Sequence, residues 1–385
     1  MTKKLKIVYC NPGLHLSGGG ERVLATKANY FVEKLGYEVH IIITDGKNSS
    51  PFFPLHSSIK VHQLNINYDN YIAPYKRVWE YIRKRYLHKK RLNECLNQIK
   101  PDITVIMTRR EVSFITNMTD GSIKIAENHI DKGRYLNSMN PHLAKYLPKW
   151  LKRIFRKNII NALDKLDSFV VLTHEDESSW TELHNLVVIP NPLTIKPERL
   201  SLCIKKKVIA VGRYEYQKGF DLLIDAWKRV SKIHSDWELH IYGEGILRNS
   251  LEQQIIALGL GDSCFLERQT TDIGKYYEDS SLFVLSSRFE GFGLVIVEAM
   301  AYGLPVVSFA CPCGPSEIIT EAIDGLLVEP QNVNDLACRI SYLIEETNIR
   351  KNMGYMASIN VHRYDLEVIV PIWVQLFEKL VDKGN

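Results

Sequence analysis

Short apolar runs rich in β-branched residues recur along the 385-residue chain, and stretches with helical periodicity separate them. One series of such runs lies before residue 191 and a second series lies after residue 207. Strands that alternate with helices pair in parallel through helical crossovers, so each series predicts a doubly wound α/β sheet. Since the chain is too long for one ordinary core, we expect two Rossmann-like domains. The predicted strands are residues 5–10, 39–44, 59–64, 103–107, 123–127, 169–172, 187–190, 208–211, 238–242, 264–266, 282–285, 305–308 and 326–328.

The apolar pattern is interrupted between the two series, where Pro192 and Pro197 precede the basic run 205–207. This break predicts a first domain at residues 1–195 and a second domain at residues 196–365. The remaining amphipathic segment, residues 366–385, is expected to form a terminal helix.

The net charge of +5 hides an imbalance between the two halves of the chain. Residues 1–200 hold 31 basic and 19 acidic side chains, giving +12, and the remainder carries −7. Such an imbalance points to an anionic partner for the first half, either a membrane or nucleic acid. Much of the positive charge lies in residues 76–100 and 145–165, where bases alternate with aromatic residues such as Trp79 and Trp150.

Basic amphipathic helices with aromatic side chains suit the surface of an anionic membrane. No recognised motif for nucleic-acid binding is present in the sequence, so we expect no nucleic-acid partner. An ordinary solvated helix face remains the alternative for both segments.

The seven cysteines show no paired spacing, so the sequence supports neither a disulfide framework nor a zinc ribbon. A reducing cytoplasm is the simplest setting for them. The N-terminal apolar run is interrupted by Asn11-Pro12-Gly13, which favours a first strand over a signal peptide. No segment is predicted to cross a bilayer.

The segment from 282 to 302 carries the strongest functional pattern. A predicted strand is followed by the turn Glu290-Gly291-Phe292-Gly293, and a helix is expected to begin at Leu294. Backbone N–H groups and the positive end of the helix dipole favour a phosphate at such a helix start. Glu298 lies about two turns into the helix. A diphosphate sugar fits, with sugar hydroxyls on Glu290 and ribose hydroxyls on Glu298, and the alternative is a core helix with two structural acids.

Gly212 and Arg213 follow the first predicted strand of the second domain, and Lys218 comes five residues after Arg213 in a turn before a helix. Two cations over a phosphate-sized site would stabilise a departing nucleoside diphosphate, whereas the alternative is two solvated surface bases. The sequence contains no Asp-x-Asp, so the usual carboxylate pair for Mg²⁺ or Mn²⁺ is missing. We therefore expect neither a metal nor another cofactor.

Four further positions are candidates for binding the same diphosphate sugar. Gly18 and Gly19 precede a predicted helix, where glycine lets the backbone approach a phosphate closely, although a tight turn explains them equally. The absence of the Gly-x-Gly-x-x-Gly spacing argues against a dehydrogenase. Gly243 closes one predicted strand, and Arg268 follows the next, where its side chain is expected to lie over the base.

His129 follows the predicted strand 123–127. Ligands gather at the carboxyl ends of strands in doubly wound sheets. A histidine at this place is suited to hydrogen-bond the transferring sugar or to handle the acceptor proton. A structural histidine is the alternative.

These motifs together resemble the donor site of retaining glycosyltransferases of family 4, which have the GT-B fold. The resemblance rests on Glu290-x7-Glu298 with its internal Gly-Phe-Gly, on Gly212-Arg213-x4-Lys218-Gly219, and on the Glu127-Asn-His129 strand end. It covers nearly the whole chain and is stronger in the second half. It implies two Rossmann-like domains facing across a cleft, with the acceptor mainly on the first, the nucleotide sugar mainly on the second, and a C-terminal helix returning to the first. Gly20 and Pro315 depart from the family pattern.

The resemblance also implies the activity, with Glu290, His129, Arg213 and Lys218 as catalytic residues. We expect a retaining, metal-independent hexosyltransferase that moves galactose, glucose or an N-acetylhexosamine from a UDP-sugar to a hydroxyl of a lipid-linked or lipopolysaccharide-type bacterial glycan. The basic helices would place it in the cytoplasm, peripherally on the cytoplasmic face of the inner membrane. The alternatives are a GDP-mannose-dependent mannosyltransferase and a nucleotide-sugar epimerase of the same fold. A non-catalytic sugar-nucleotide-binding protein is disfavoured because Glu290, Arg213 and Lys218 are all present.

Overall fold

A computed structural model describes residues 4–46, 50–68, 77–107, 110–138 and 148–384 of the chain. The chain divides into two compact units, one of Met1–Pro190 together with Ile369–Asn385 and one of Asn191–Val368. The division after Pro190 lies five residues before the boundary expected from the sequence. Residue 76 and residues 145–147 of the two basic segments lie outside the described residues.

Within its described residues, the first unit contains a parallel sheet of seven strands in the order β3-β2-β1-β4-β5-β6-β7. Its central strands are buried on both faces because helices cover them, and this explains why they read as continuous apolar runs. The strands are β1 (Lys6–Asn11), β2 (Glu38–Ile43), β3 (Lys60–Gln63), β4 (Ile103–Ile106), β5 (Ile123–Glu127), β6 (Ser168–Val171) and β7 (Leu186–Val188).

Helices connect these strands. The helix α1 follows β1, starts next to Gly18 and buries Val23, Leu24 and Phe31 at the spacing of one helix face. Among the described residues before 190, the α-helices are α1 (Gly19–Glu33), α2 (Arg77–Ile99), α3 (Lys132–Ser138), α4 (Lys149–Asp164) and α5 (His174–Ser179).

The second unit has a parallel sheet in the order β10-β9-β8-β11-β12-β13. The strands are β8 (Lys207–Val211), β9 (Glu238–Tyr242), β10 (Cys264–Glu267), β11 (Leu282–Leu285), β12 (Val306–Phe309) and β13 (Gly325–Val328). The helices are α6 (Phe220–Ile233), α7 (Arg248–Ala257), α8 (Gly274–Glu278), α9 (Leu294–Ala301), α10 (Pro315–Ile318), α11 (Val333–Glu345) and α12 (Thr347–Asn360). Fully buried Leu223 and Trp227 of α6 anchor that helix in the core around β8 and β11.

The terminal helix α13 (Leu366–Gly384) leaves the second unit after Val368. Its remaining residues belong to the first unit, where the ring of Phe377 lies 5.8 Å from the ring of Phe31 in α1. Among the described residues, every helix falls short of the length or the apolar character that spanning a membrane requires.

In both sheets the strand order reverses next to the first strand. The chain moves outward from β1 to β3 and returns beside β1 with β4, and it moves from β8 to β10 and returns beside β8 with β11. At such a switch point the loops that leave the two neighbouring strands diverge and form a crevice. The predicted α/β class with two doubly wound sheets is confirmed, and each predicted strand matches an observed strand within one or two residues.

Candidate functional site

The loops that follow β8 and β11 meet at the switch point of the second sheet. The Ser286 hydroxyl donates to the Lys218 carbonyl oxygen over 2.9 Å, and the Arg288 N–H donates to the Gln217 carbonyl oxygen over 2.8 Å. The Gln217 amide donates in turn to the Phe289 carbonyl oxygen at 3.1 Å. These bonds hold the two loops in one fixed arrangement, although 72 residues separate Lys218 from Glu290.

An ion pair joins two of the predicted catalytic residues, one from each loop. The Lys218 ammonium donates to Glu290 Oε1 at 2.7 Å, and the Ser287 hydroxyl donates to the same oxygen at 2.6 Å. The side chains are 13% and 7% exposed, so both charges are largely removed from water. A buried charge needs a partner, and this pair satisfies both groups while leaving the edge of the ammonium accessible.

Two glycines allow close backbone packing at this edge of the sheet, Gly219 between the β8 and β11 loops and Gly243 between the loops after β9 and β8. Gly219 has φ +60°, and a Cβ added there would stand 2.1 Å from the Ser286 carbonyl oxygen. A Cβ added at Gly243 would stand 1.9 Å from the carbonyl oxygen of Gly212. The glycines identified in the sequence therefore serve the packing of backbone against backbone at this edge of the sheet.

The helix α9 begins directly after the β11 loop, with Gly293 at its N-cap position and φ +97°. Phe292 is buried, and its ring lies 5.5 Å from the ring of Tyr364. Glu298 is buried within α9, and its Oε1 accepts a hydrogen bond from Thr194 at 3.2 Å. Gly291 and Leu294 are half-buried beside this helix start.

The two other basic residues predicted for the donor lie at the surface. Arg213 is 66% exposed, and its guanidinium contacts Glu215 at 3.0 Å. Arg268 follows β10 and is also exposed. Both side chains can reorient toward a ligand, whereas Lys218 is held in place by Glu290.

A second ion pair at the same loops was missed in the sequence. The Arg288 guanidinium donates two hydrogen bonds to the Asp221 carboxylate, at 2.9 and 2.6 Å, and lies 4.1 Å from the centre of the Tyr216 ring. The hydrogen bond to Asp221 raises the pKa of Arg288 above its ordinary value. Sequence reasoning also passed over Ser287, whose position three residues before Glu290 was the available signal.

The remaining predicted residues lie in the first unit. Gly18 precedes α1 and Gly19 is its first residue, so both stand at the carboxyl edge of the first sheet next to β1. His129 comes two residues after β5, is partly exposed, and places its Nε2 atom 3.2 Å from Glu127 Oε1. Glu127 is itself paired with Lys27, a residue without any sequence signal.

Comparison with known proteins gives one family and several relatives. Residues 198–358 match the family described as glycosyl transferases group 1. Over 377 residues the chain is 29% identical to an uncharacterized glycosyltransferase of Haemophilus influenzae, covering 96% of this chain and 99% of that one. It is 26% identical over 378 residues to the amylovoran biosynthesis glycosyltransferase AmsD of Erwinia amylovora, covering 96% and 98% of the two chains.

The fold also matches solved structures. One is a mutant of S. aureus TarM in complex with fondaparinux, alpha-GlcNAc-glycerol and UDP. The match has a TM-score of 0.76 at 18% identity and covers 97% of this chain and 99% of that chain.

The contact between the two loops can be tested by adding one methyl group. Gly219→Ala should separate the loops, because the left-handed backbone costs about 1–2 kcal/mol for other residues and the Cβ also meets the Ser286 carbonyl. Amide hydrogen exchange measured by mass spectrometry should become faster in residues 212–219 and 286–290. In the control Gly261→Ala the new Cβ has no described atom within 4 Å, and exchange should not change. Unchanged exchange in Gly219→Ala would contradict the proposed contact.

Proposed function

We propose that this chain, whose residues 198–358 match the family described as glycosyl transferases group 1, is a glycosyltransferase of the GT-B fold that transfers a hexose from a UDP-sugar with retention. The acceptor in this proposal is a hydroxyl of a lipid-linked or lipopolysaccharide-type glycan. The observation that carries the proposal is the Lys218–Glu290 pair at the switch point of the second sheet, next to the start of α9. At this carboxyl edge of the second sheet, a cation, a carboxylate and the backbone N–H groups of the first turn of α9 lie close together.

Lys218 stabilises the leaving group in this mechanism. An ammonium has three N–H donors, and Glu290 Oε1 takes one of them, so the others are available to a phosphate. Negative charge grows on the diphosphate as the bond between the sugar C1 and the phosphate oxygen breaks. A fixed cation and the N-terminus of α9 stabilise that charge more strongly in the transition state than in the ground state. The exposed side chain of Arg213 turns toward the diphosphate and adds a second cation.

The two acids have separate roles. Glu290 is held by Lys218 and Ser287, and its second oxygen accepts hydrogen bonds from the transferring sugar. Glu298 binds the ribose, which is present in both the donor and the product. The acceptor oxygen bonds to C1 on the face that the phosphate leaves, and the departing phosphate oxygen takes the acceptor proton. This route supports retention because it needs no separate protein base.

The choice of substrates is supported by proteins similar to this chain. The TarM structure holds UDP, and the Erwinia amylovora relative is named for amylovoran biosynthesis. A further relative, 24% identical over 354 residues, is a Campylobacter jejuni enzyme that transfers N-acetylgalactosamine to a diphospho-undecaprenol-linked glycan. We extend a UDP donor and a lipid-linked acceptor to this chain on that basis.

A panel of nucleotide sugars tests this function. Incubated without acceptor, the purified protein should slowly release UDP and a free hexose from UDP-glucose, UDP-galactose or a UDP-N-acetylhexosamine. Lys218→Ala and Arg213→Ala should each slow this release, for Lys218 by about a hundredfold, since a lost cation at the leaving group costs on the order of 3 kcal/mol. The exposed pair Lys206–Asp236 supplies a control, and Lys206→Ala should retain the parent rate.

Each other result of the panel would point elsewhere. Release of GDP from GDP-mannose alone would make the protein a mannosyltransferase. Conversion of one nucleotide sugar into its epimer without release of hexose would make it an epimerase. Rates within threefold of the parent in both Lys218→Ala and Arg213→Ala would remove the two cations from the mechanism.

Metal independence is the second property to test. We propose that Lys218, Arg213 and the start of α9 replace the divalent ion that many diphosphate-binding sites use. Donor hydrolysis should therefore continue at the same rate after treatment with EDTA and removal of free metal. Loss of the activity and its recovery with Mn²⁺ or Mg²⁺ would contradict this assignment.

We further propose that α2 and α4 rest on an anionic membrane at the cytoplasmic face. On α2, the exposed side chains Trp79, Ile82, Tyr86 and Lys89 share one helix face, and Trp79 is 78% exposed. Lys84 lies on the opposite side and is buried, with its ammonium donating to the Asn67 carbonyl oxygen. Lys84 is therefore excluded from the surface that the sequence suggested.

The helix α4 repeats this arrangement. Trp150, Arg153, Ile154 and Lys157 are exposed at helical spacing, and Trp150 is 64% exposed. Large apolar side chains surrounded by bases insert into a headgroup region while the bases meet anionic lipids. In water, these rings would stay exposed to solvent, without an apolar surface to pack against.

Cosedimentation with liposomes tests the membrane proposal. The protein should bind vesicles that contain anionic lipid and should detach partly as salt rises, because each base is worth about 1 kcal/mol near the surface and is screened over about 8–10 Å. Reversing the charge at Lys89, Lys90, Arg153 and Lys157 should abolish binding and leave donor hydrolysis intact. The control reverses the exposed bases Arg229 and Lys232 of α6 and should bind as the parent does. Equal binding to neutral and anionic vesicles would contradict the role of anionic lipid, and binding to neither would assign both faces to solvent.

A further inference from the structure

A lysine is fully buried in the first unit. Lys27 lies in α1, and its side chain is 0% exposed. Its ammonium donates to both carboxylate oxygens of Glu127, at 2.6 and 2.7 Å, and Glu127 is the last residue of β5. The rings of Trp373 in α13 and Tyr9 in β1 complete its surroundings, with ring centres 4.2 and 5.7 Å from Nζ.

Burial and the ion pair shift the pKa values of both members of this pair. Burial lowers the pKa of the Lys27 ammonium, and Glu127 opposes that change. Burial alone would raise the pKa of the Glu127 carboxyl, but Lys27 and His129 outweigh it and hold that pKa at about 2. The carboxylate is therefore ionised throughout the physiological range.

A buried ion pair contributes little net stability, since well-packed apolar residues of the same size often serve as well or better. The pair therefore needs an explanation other than stability, and the neighbouring side chain of His129 supplies one. Glu127 Oε1 lies 2.6 Å from Lys27 Nζ and 3.2 Å from His129 Nε2, so one carboxylate oxygen bridges the lysine and the histidine. His129 is the only member of this set of three that reaches solvent, with its side chain 19% exposed.

We propose that Lys27 and Glu127 are positioning residues for His129. Glu127 Oε1 lies 3.2 Å from the buried Nε2 atom and favours the proton on that nitrogen, which orients the ring and leaves Nδ1 as an acceptor for a substrate hydroxyl. A carboxylate that orients an imidazole and selects its tautomer in this manner is a general arrangement for catalytic histidines. Lys27 fixes the rotamer of Glu127 and balances its charge.

The same lysine connects the histidine with the rest of the first unit. Lys27 lies in the helix that starts at the Gly18-Gly19 loop, and Trp373 shields the pair from water. Tyr9 and His129 are the other titratable groups that face the Glu127 carboxylate. A substitution at Lys27 should therefore change the orientation of the His129 ring through Glu127, although Lys27 itself does not contact the substrate. This inference rests on the proposed function and on the expectation from the sequence that His129 hydrogen-bonds the transferring sugar or the acceptor.

The test removes both charges together, because a single substitution would leave one buried charge unpaired and unfold the protein. Lys27→Met/Glu127→Met should keep the thermal midpoint within a few degrees of the parent. Turnover should fall about a hundredfold, since misplacing a reacting group by about 1 Å has that effect. The KM for the donor should change far less than turnover, because Lys218, Glu290 and Glu298, which are proposed to hold the donor, lie in the second unit.

A matched control exists at the opposite end of the same strand. Lys124 follows the first residue of β5, is buried, and pairs with Asp120 at 2.8 Å. Lys124→Met/Asp120→Asn removes a buried pair of the same kind away from His129. This variant should keep the parent turnover. An equal loss of turnover in both double variants would show that the Lys27 pair acts through stability alone and would overturn the proposal.

Nitrogen-15 NMR of the imidazole rings gives a readout that is independent of activity. With His129→Gln used to assign the signal, His129 of the parent should show a protonated Nε2 and an unprotonated Nδ1. Lys27→Met/Glu127→Met should convert it to a mixture of tautomers. An unchanged tautomer, or parent turnover in that variant, would overturn the proposal. If no nucleotide sugar is turned over by the parent, the proposed function fails, and the tautomer still decides whether Glu127 orients His129.

Discussion

Strands β8 and β11 pair in parallel, although two strands and three α-helices separate them in the chain. Their backbone hydrogen bonds fix the carboxyl ends of both strands at one edge of the sheet, and the loops that leave those ends have to share the same space. Gly219 relieves the backbone crowding that results, and Ser286 ties the loops together. The Lys218–Glu290 pair can form only after this pairing, so the whole candidate donor site depends on the reversal of strand order at β8.

Each unit holds a lysine–glutamate pair at the carboxyl edge of its sheet. The two lysines differ in how far they are exposed to solvent, and the two pairs are therefore suited to different roles. Lys218 is partly exposed, so it can donate to Glu290 and to a ligand at the same time. Lys27 is sealed by Trp373 and Tyr9, so its charge acts on protein groups alone. The first pair is suited to meet a developing charge, whereas the second is suited to orient another side chain. In both pairs a buried cation is tolerated because a carboxylate within hydrogen-bond distance offsets the cost of leaving water.

The terminal helix α13 shields the Lys27–Glu127 pair of the first unit from water. Trp373 lies over the Lys27 ammonium, and Phe377 packs against Phe31 of the same helix α1. Residues from the end of the chain thereby exclude water from a charged pair near its beginning. In a drier environment the attraction between Lys27 and Glu127 is stronger and their geometry is more sharply defined. The orientation proposed for His129 thus depends on a segment more than 200 residues away in the chain.

The strands, the two doubly wound sheets and the glycine loops follow from the sequence, because periodicity and turn chemistry are properties of neighbouring residues. The partner of each charge does not follow from it. The fold is needed to show that Lys218 meets Glu290, that Arg288 meets Asp221, and that Lys27 meets Glu127 across 100 positions. It also decided that Lys84 turns inward, because the rotation of a helix about its axis is set by what it packs against. Pairing of buried charges depends on strand order and helix packing, which connect residues distant in the chain and leave no periodic trace in it.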